Sequence, residues 1–207
     1  LLLYIFAGSM GLGIDTTAGE KERGSLSILL VNQVSRTSIA LGKILYLMLM
    51  SILTSVLNLV GLVIGLYFEM SFLGEANMPF SVELDAIGYL LLFITVILLA
   101  LISSGIIILI GILARSVKEA SGYITPIYMI ILLFGISTMQ SEGSKAFYYY
   151  AIPFINIIFT MKDIFIGTFS AANFLTMFVV NSALVVLFVY LTARIFNSEK
   201  VLEVTAE

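Results

Sequence analysis

The stretch Asp15–Lys43, DTTAGEKERGSLSILLVNQVSRTSIALGK, is the segment from which the fold of the rest of the chain is predicted. It is a long polar interruption near the start of a very apolar sequence. Apolar residues make up 60% of the 207 residues, charged residues make up 11%, and the mean hydropathy is +1.13. These values lie far outside the range of soluble globular domains. The composition therefore indicates a membrane protein.

The charged residues bracket apolar runs that are long enough to cross a membrane. A hydrocarbon core about 30 Å thick requires about 20 helical residues at a rise of 1.5 Å each. We expect a single transmembrane domain over residues 1–207, and its fold class is all-α, a polytopic transmembrane helix bundle. The expected spans cover about 1–14, 44–68, 86–114, 120–140 and 171–193.

The basic residues predict the orientation of these spans. If region 15–43 is cytoplasmic, only Lys145 and Lys162 lie outside. The basic residues inside are then Lys21, Arg23, Arg36, Lys43, Arg115, Lys118, Arg194 and Lys200. This bias is the one that the positive-inside rule predicts, and it places the C-terminus in the cytoplasm. The chain opens with LLLYIFAGSMGLGI, without an initiating Met, so we expect a fragment that begins inside a span.

Several classes of function are disfavoured by the composition. The chain has no Cys and no His, and hence no thiolate metal site and no histidine base or ligand. With its acidic residues in loops, it offers no catalytic constellation, so we expect no enzyme, no metal and no cofactor. A net charge of −3 argues against a nucleic-acid partner.

The start of the polar stretch resembles a helix start. Thr17 and Glu20 are spaced as a capping box, which predicts a new amphipathic helix that lies at the membrane interface. Its apolar face would carry Leu26, Leu29 and Leu30. An ordinary solvated loop is the alternative that the pattern leaves open. Glycines at 13 and 19 do not have the spacing of a phosphate-binding loop, so the chain is not expected to hydrolyse ATP itself.

Polar residues also occur inside the second span. Ser51, Thr54, Ser55 and Asn58 could line a transport pathway, or could only pack against neighbouring helices. No charged residue lies at mid-depth in the expected spans, although ion-driven carriers usually bury one. The energy for transport is therefore expected to come from elsewhere. A segment from Pro153 to about Ile166 is too short to span and predicts an external interfacial or re-entrant helix.

The motif Glu20-Lys21-Glu22-Arg23-Gly24-Ser25-Leu26, followed by Val34-Ser35-Arg36 and Gly42-Lys43, resembles that of type-2 ABC transporter permeases. More narrowly, it is similar to the sodium-efflux, NatB-like branch. Ser25 replaces the usual Thr, and Gln33 replaces the usual Pro. The similarity extends over the order of the spans, and the first helix and the large extracellular domain of the family are absent from this sequence.

The resemblance implies a membrane subunit of an exporter in the plasma membrane of a bacterium or an archaeon. It implies that a cytoplasmic coupling helix in region 15–43 contacts a separate ATPase subunit. The implied contact residues are Glu20, Lys21, Glu22, Arg23 and Gly24. The other implied partners are the lipid bilayer and a second permease subunit, identical or related, and the suggested substrate is Na⁺. A self-contained secondary carrier without an ATPase is the alternative function.

Overall fold

The computed structural model describes residues 2–25, 35–73, 85–139 and 146–197, and no strand occurs within them. The elements, in chain order, are α1 (Leu2–Ile14), a π-helix (Asp15–Gly19), α2 (Glu20–Glu22), α3 (Arg36–Leu73), α4 (Ala86–Leu113), α5 (Val117–Met139), a 3-10 helix (Phe147–Ala151), α6 (Ile155–Ile166) and α7 (Ala171–Asn197). The predicted all-α membrane helix bundle is confirmed.

Four helices in the described parts are long and apolar enough to cross a membrane. These segments are Thr37–Gly65, Ala86–Leu113, Val117–Thr138 and Ala171–Phe196. Each overlaps one of the last four spans expected from the sequence. Helix α1 has 13 residues and is shorter than a bilayer requires on its own.

Helix α4 is the centre of the bundle and packs against α1, α3 and α7. The membrane segment of α4 is 67% buried, compared with 17% for α3 and α5 and 11% for α7. This difference agrees with the sequence, because α4 contains no charged residue and is apolar on every side. The other long helices turn one face to the lipid. On α3 that face carries exposed leucines at Leu45, Leu49, Leu53 and Leu57.

Small residues allow the helices to approach closely. In lipid, helices associate through packing and hydrogen bonds, because lipid tails are as apolar as the helix surfaces. A Cβ added at Gly13 would overlap the side chain of Ile107, and one added at Gly111 would overlap Oγ1 of Thr17. A Cβ at Gly105 would lie 2.9 Å from Cβ of Phe188. Glycine at these positions fixes the distances of α1 and α7 from α4.

Helix α6 occupies the segment for which an external helix was expected. It has 12 residues, about 18 Å of helix, which is well short of a hydrocarbon core. Its C-terminus is closed by Gly167 at φ 77°, and the amide of Thr168 donates to the carbonyl oxygen of Asp163 at 2.9 Å. The helix packs against α4, α5 and α7 at the end of the bundle opposite α2.

Candidate functional site

The polar region begins as a continuation of α1 and does not begin a new helix. Ile14 and Gly19 have helical backbone angles, and the five residues between Ile14 and Glu20 form a π-helix. Thr17 is buried, and its Oγ1 donates to the carbonyl oxygen of Gly13 at 2.5 Å. The predicted capping box is therefore wrong. Packing of Thr17 against Gly111 holds the chain in a helix where the local pattern favoured a start.

The continued helix ends directly after the charged motif. Gly24 has φ 72°, a left-handed conformation that favours glycine and commonly closes a helix. Residues 26–34, which include the predicted apolar face at Leu26, Leu29 and Leu30, lie outside the described residues.

Lys21 binds the C-terminal end of α4. Its Nζ donates to the carbonyl oxygen of Ile112 and, at 3.2 Å, to that of Ala114. The last carbonyl groups of a helix have no partner within the helix, and they carry the negative end of its dipole. Lys21 satisfies two of these groups while only 7% exposed. Burial lowers the pKa of Lys21 to about 8, and the charge of Glu119 opposes that shift.

Glu22 binds the start of the next helix. Its Oε2 accepts a hydrogen bond from the backbone N–H of Val117, the first residue of α5, at 2.8 Å. The first N–H groups of a helix lack internal partners and favour a negative group nearby. Lys21 and Glu22, adjacent in sequence, therefore hold opposite sides of the α4–α5 turn.

Glu119 supports the same turn from within α5. Its Oε2 accepts from the backbone N–H of Arg115 at 2.7 Å, and its Oε1 accepts from the hydroxyl of Tyr123 at 2.8 Å. Glu119 thereby connects Arg115 in the turn with Tyr123 in α5.

Glu20 connects the motif to α3. Its carboxylate forms an ion pair with Lys43, and Lys43 Nζ also donates to the carbonyl oxygen of Thr16 at 2.7 Å. The two side chains are 21% and 11% exposed, so water screens this pair less than a surface pair. The pair holds the N-terminal part of α3 against the π-helix.

Arg23 pairs with Asp15 on the outer surface of the same segment. Its Nη1 lies 2.7 Å from Oδ1 of Asp15, and its Nη2 donates to the carbonyl oxygen of Asp15 at 3.1 Å. The side chains are 56% and 61% exposed. Gly19 leaves room for them, since an added Cβ would lie 3.1 Å from Oδ1 of Asp15.

The structure thus brings the predicted motif residues together in a role that the sequence did not indicate. Each charged side chain of the motif binds a group of its own chain, and three of them reach other long helices. We call this set of contacts the helix-end clamp; its members are Asp15, Glu20, Lys21, Glu22, Arg23 and Lys43. Asp15 was missed as a site residue, and only its opposite charge on the same helical segment could have indicated the pair.

The predicted pathway residues divide between two environments. Ser51 and Ser55 are buried within the bundle, and the Ser55 hydroxyl donates to the carbonyl oxygen of Ser51 at 2.6 Å. Thr54 and Asn58 also donate to backbone carbonyls of their own helix. Asn58 in addition lines a hollow of about 410 Å³, together with Tyr4, Leu57, Gly61 and Leu62.

Comparison with known proteins assigns the chain to a family. Over 205 residues it is 29% identical to the ABC transporter permease protein NatB of Bacillus subtilis (strain 168). The alignment covers 97% of this chain and 52% of that protein. The chain therefore spans about half the length of this relative. No solved structure gives a significant match. Residues 1–169 match the ABC-2 type transporter family. The chain belongs to the ABC-2 type transporter family, and it is similar to the NatB permease.

Proposed function

We propose that this chain forms part of the membrane subunit of an ATP-driven exporter, and that the helix-end clamp passes motion from a separate ATPase subunit to the bundle. The observation that carries this proposal is the set of contacts made by the motif. A displacement of α2 acts on α4 through Lys21, on α5 through Glu22 and on α3 through Glu20.

The exposed charged residues of the clamp are Asp15, Glu22 and Arg23, and the carboxylate of Glu22 is already bound to the N–H of Val117. More than half of the Asp15 and Arg23 side chains is exposed, whereas Lys21 is buried against α4. We therefore assign the partner contact to Asp15, Arg23 and Gly24, and the internal transmission to Glu20, Lys21 and Glu22. Charge-assisted hydrogen bonds from an exposed Arg would suit a carboxylate on the partner.

The distribution of charge supports a cytoplasmic position for the clamp. Among the described residues, this end of the bundle carries Lys21, Arg23, Lys43, Arg115, Lys118 and Arg194. The described part of the opposite end carries Lys162. Basic residues concentrate on the cytoplasmic side of membrane proteins. We propose Na⁺ as the cargo because of the resemblance to the sodium-efflux branch, and a second permease subunit as the companion of this one.

The test uses the full-length protein, co-expressed with candidate ATPases and reconstituted in vesicles. Arg23→Glu places a negative charge where the partner is expected to present one, so binding should weaken about tenfold or more. ATP-driven ²²Na⁺ efflux should fall with it. The exchange Asp15→Arg with Arg23→Asp keeps the internal pair but reverses the exposed charges, so it should not restore binding.

The matched control is Asp85→Arg, which reverses the charge of an exposed acidic residue at the opposite end of the bundle. It is expected to leave ATPase binding unchanged. If the wild type recruits no ATPase, or if Arg23→Glu leaves recruitment intact, the proposed coupling is refuted. Efflux that continues without ATP would identify the secondary carrier instead. Efflux of another solute with ATP but not of Na⁺ would refute the cargo alone.

A further inference from the structure

Helix α6 turns a polar face into the bundle. Asn156, Thr160 and Asp163 are spaced by four and three residues, so they lie on one side of the helix. They are 0%, 2% and 7% exposed. Polar groups inside a membrane bundle are costly unless they are bonded, and a polar face directed inward therefore requires partners.

The hydrogen bonds of Asn156 fix the orientation of its neighbour. Its Nδ2 donates to the carbonyl oxygen of Tyr150 at 3.2 Å, so its Oδ1 must accept. The donor to that oxygen is Nδ2 of Asn181, also at 3.2 Å. Asn181 is fully buried, and its Oδ1 is left without a hydrogen-bond donor.

Thr160 has a second unpartnered oxygen on the same face. Hydroxyl groups in the other helices commonly donate to the carbonyl oxygen four residues earlier, as Ser9 and Thr95 do. The Thr160 hydroxyl makes no such bond although it is buried. Asp163 follows three residues later, so its carboxylate is within reach of the same space.

Asp163 is a buried acid, and hydroxyl groups donate to both of its carboxylate oxygens. Its Oδ2 accepts from the hydroxyl of Tyr150, and its Oδ1 accepts from that of Thr168 at 3.3 Å. Burial, with the hydrogen bond to Asp163, raises the pKa of Tyr150, so the phenol keeps its proton. The adjacent Lys162 donates to the carbonyl oxygen of Thr138 on α5.

We propose that this face binds a monovalent metal cation, Na⁺ or K⁺, with Asp163 and Thr160 as ligands and the Asn181 amide oxygen lining the inner side. One carboxylate balances one positive charge, and a divalent ion would leave an uncompensated charge in a buried position. Oxygen ligands suit hard cations. Groups of three or more acidic residues suited to a multivalent metal do not occur in the described chain. Binding of the cation at this face requires neither its transport nor an ATPase subunit.

The first measurement uses the wild-type full-length protein in nanodiscs. The ²³Na resonance should broaden when the protein is added, and excess K⁺ should reverse the broadening if both ions share the site. The thermal midpoint in NaCl or KCl should exceed that in choline chloride at equal ionic strength, because an ion that binds the folded state stabilises it.

The variants distinguish a cation bound to Asp163 from a proton on its carboxylate. Asp163→Asn keeps the shape and the bond from Tyr150, and it should abolish the difference between NaCl and choline chloride. Thr160→Val removes a ligand oxygen and should raise the apparent Kd about tenfold or more, since even groups that only support the ligands of a metal contribute that much. Asp85→Asn makes the same chemical change in the exposed N-cap of α4 and should keep the full response.

The proposal is overturned if the wild type responds equally to all three salts and shows no ²³Na broadening. A thermal midpoint that then depends on pH in the wild type, but not in Asp163→Asn, would identify a protonated Asp163 in place of the cation. A response to NaCl that survives in Asp163→Asn would place the ion elsewhere and would also refute the site.

Discussion

The two ends of the bundle handle buried charge in different ways. At the clamp end, Lys21 binds helix carbonyls, Glu22 binds a helix N–H group, and Glu20 binds Lys43. At the opposite end, the carboxylate of Asp163 accepts from hydroxyl groups within the described part of the chain. The first arrangement is complete within the chain and stiffens the junction of several helices. The second has a charge available for a ligand. A closed network suits the transmission of force, and an open one suits binding.

The largest expected effect comes from reversing the charge of Lys21. In Lys21→Glu a carboxylate would face the carbonyl oxygens of Ile112 and Ala114 in a buried position. We expect a loss of about 3–5 kcal/mol in the free energy of unfolding, as for a broken buried ion pair. Thermal and denaturant unfolding in detergent would measure it.

Lys118→Glu is the control for that change, because Lys118 is exposed at the same end of the bundle. Its effect should stay within about 0.5 kcal/mol. If both variants lose similar stability, the clamp end is not a closed network, and the contrast between the two ends disappears.

A smaller effect should appear as a pH dependence of stability. The pKa of Lys21 is lowered from 10.5 to about 8 in the folded chain. Between these values the unfolded chain binds more protons, so the free energy of unfolding should rise with pH. Below about pH 8 both states are protonated, and the contribution is constant. The slope for one group cannot exceed about 1.4 kcal/mol per pH unit.

Lys21→Met removes the titrating group but keeps an apolar side chain. The difference in thermal midpoint between the wild type and Lys21→Met, measured from pH 7.5 to 10, should shift in favour of the wild type. Lys118→Met should follow the wild-type slope, because its ammonium group stays exposed. A constant difference between wild type and Lys21→Met would contradict the buried position of Lys21.

The smallest effect concerns the two helix starts, one at each end. Glu22→Ala removes the acceptor for Val117 N–H, and Asp85→Ala removes the acceptor for Gly88 N–H. Each should cost about 1 kcal/mol, as is typical for the loss of a helix cap. Glu22→Gln retains an acceptor oxygen and should lose less. Equal losses for Gln and Ala would show that the charge, and not the hydrogen bond, holds α5.

The sequence was sufficient to predict the long helices, because a long uncharged segment in a membrane must satisfy its backbone hydrogen bonds internally. Helix α4 illustrates this, since its predicted range 86–114 and its observed range Ala86–Leu113 nearly coincide. The clamp could not be predicted in this way. Lys21 and Ile112 are 91 residues apart in sequence, and the hydrogen bond between them depends on how three helix ends meet. Thr17 shows the same limit, because a tertiary contact overrides its local preference.

The π-helix Asp15–Gly19 has a consequence for how related chains can vary in length. A π turn accommodates one residue more than an α turn, so the backbone downstream is out of phase with a regular helix by one position, about 100° of rotation. Deleting one residue here would give a better regular helix but would rotate Lys21 away from α4. An insertion or deletion at this point therefore changes the direction in which the motif faces about the helix axis. A homologous chain with a gap here must direct its motif toward the bundle by other contacts.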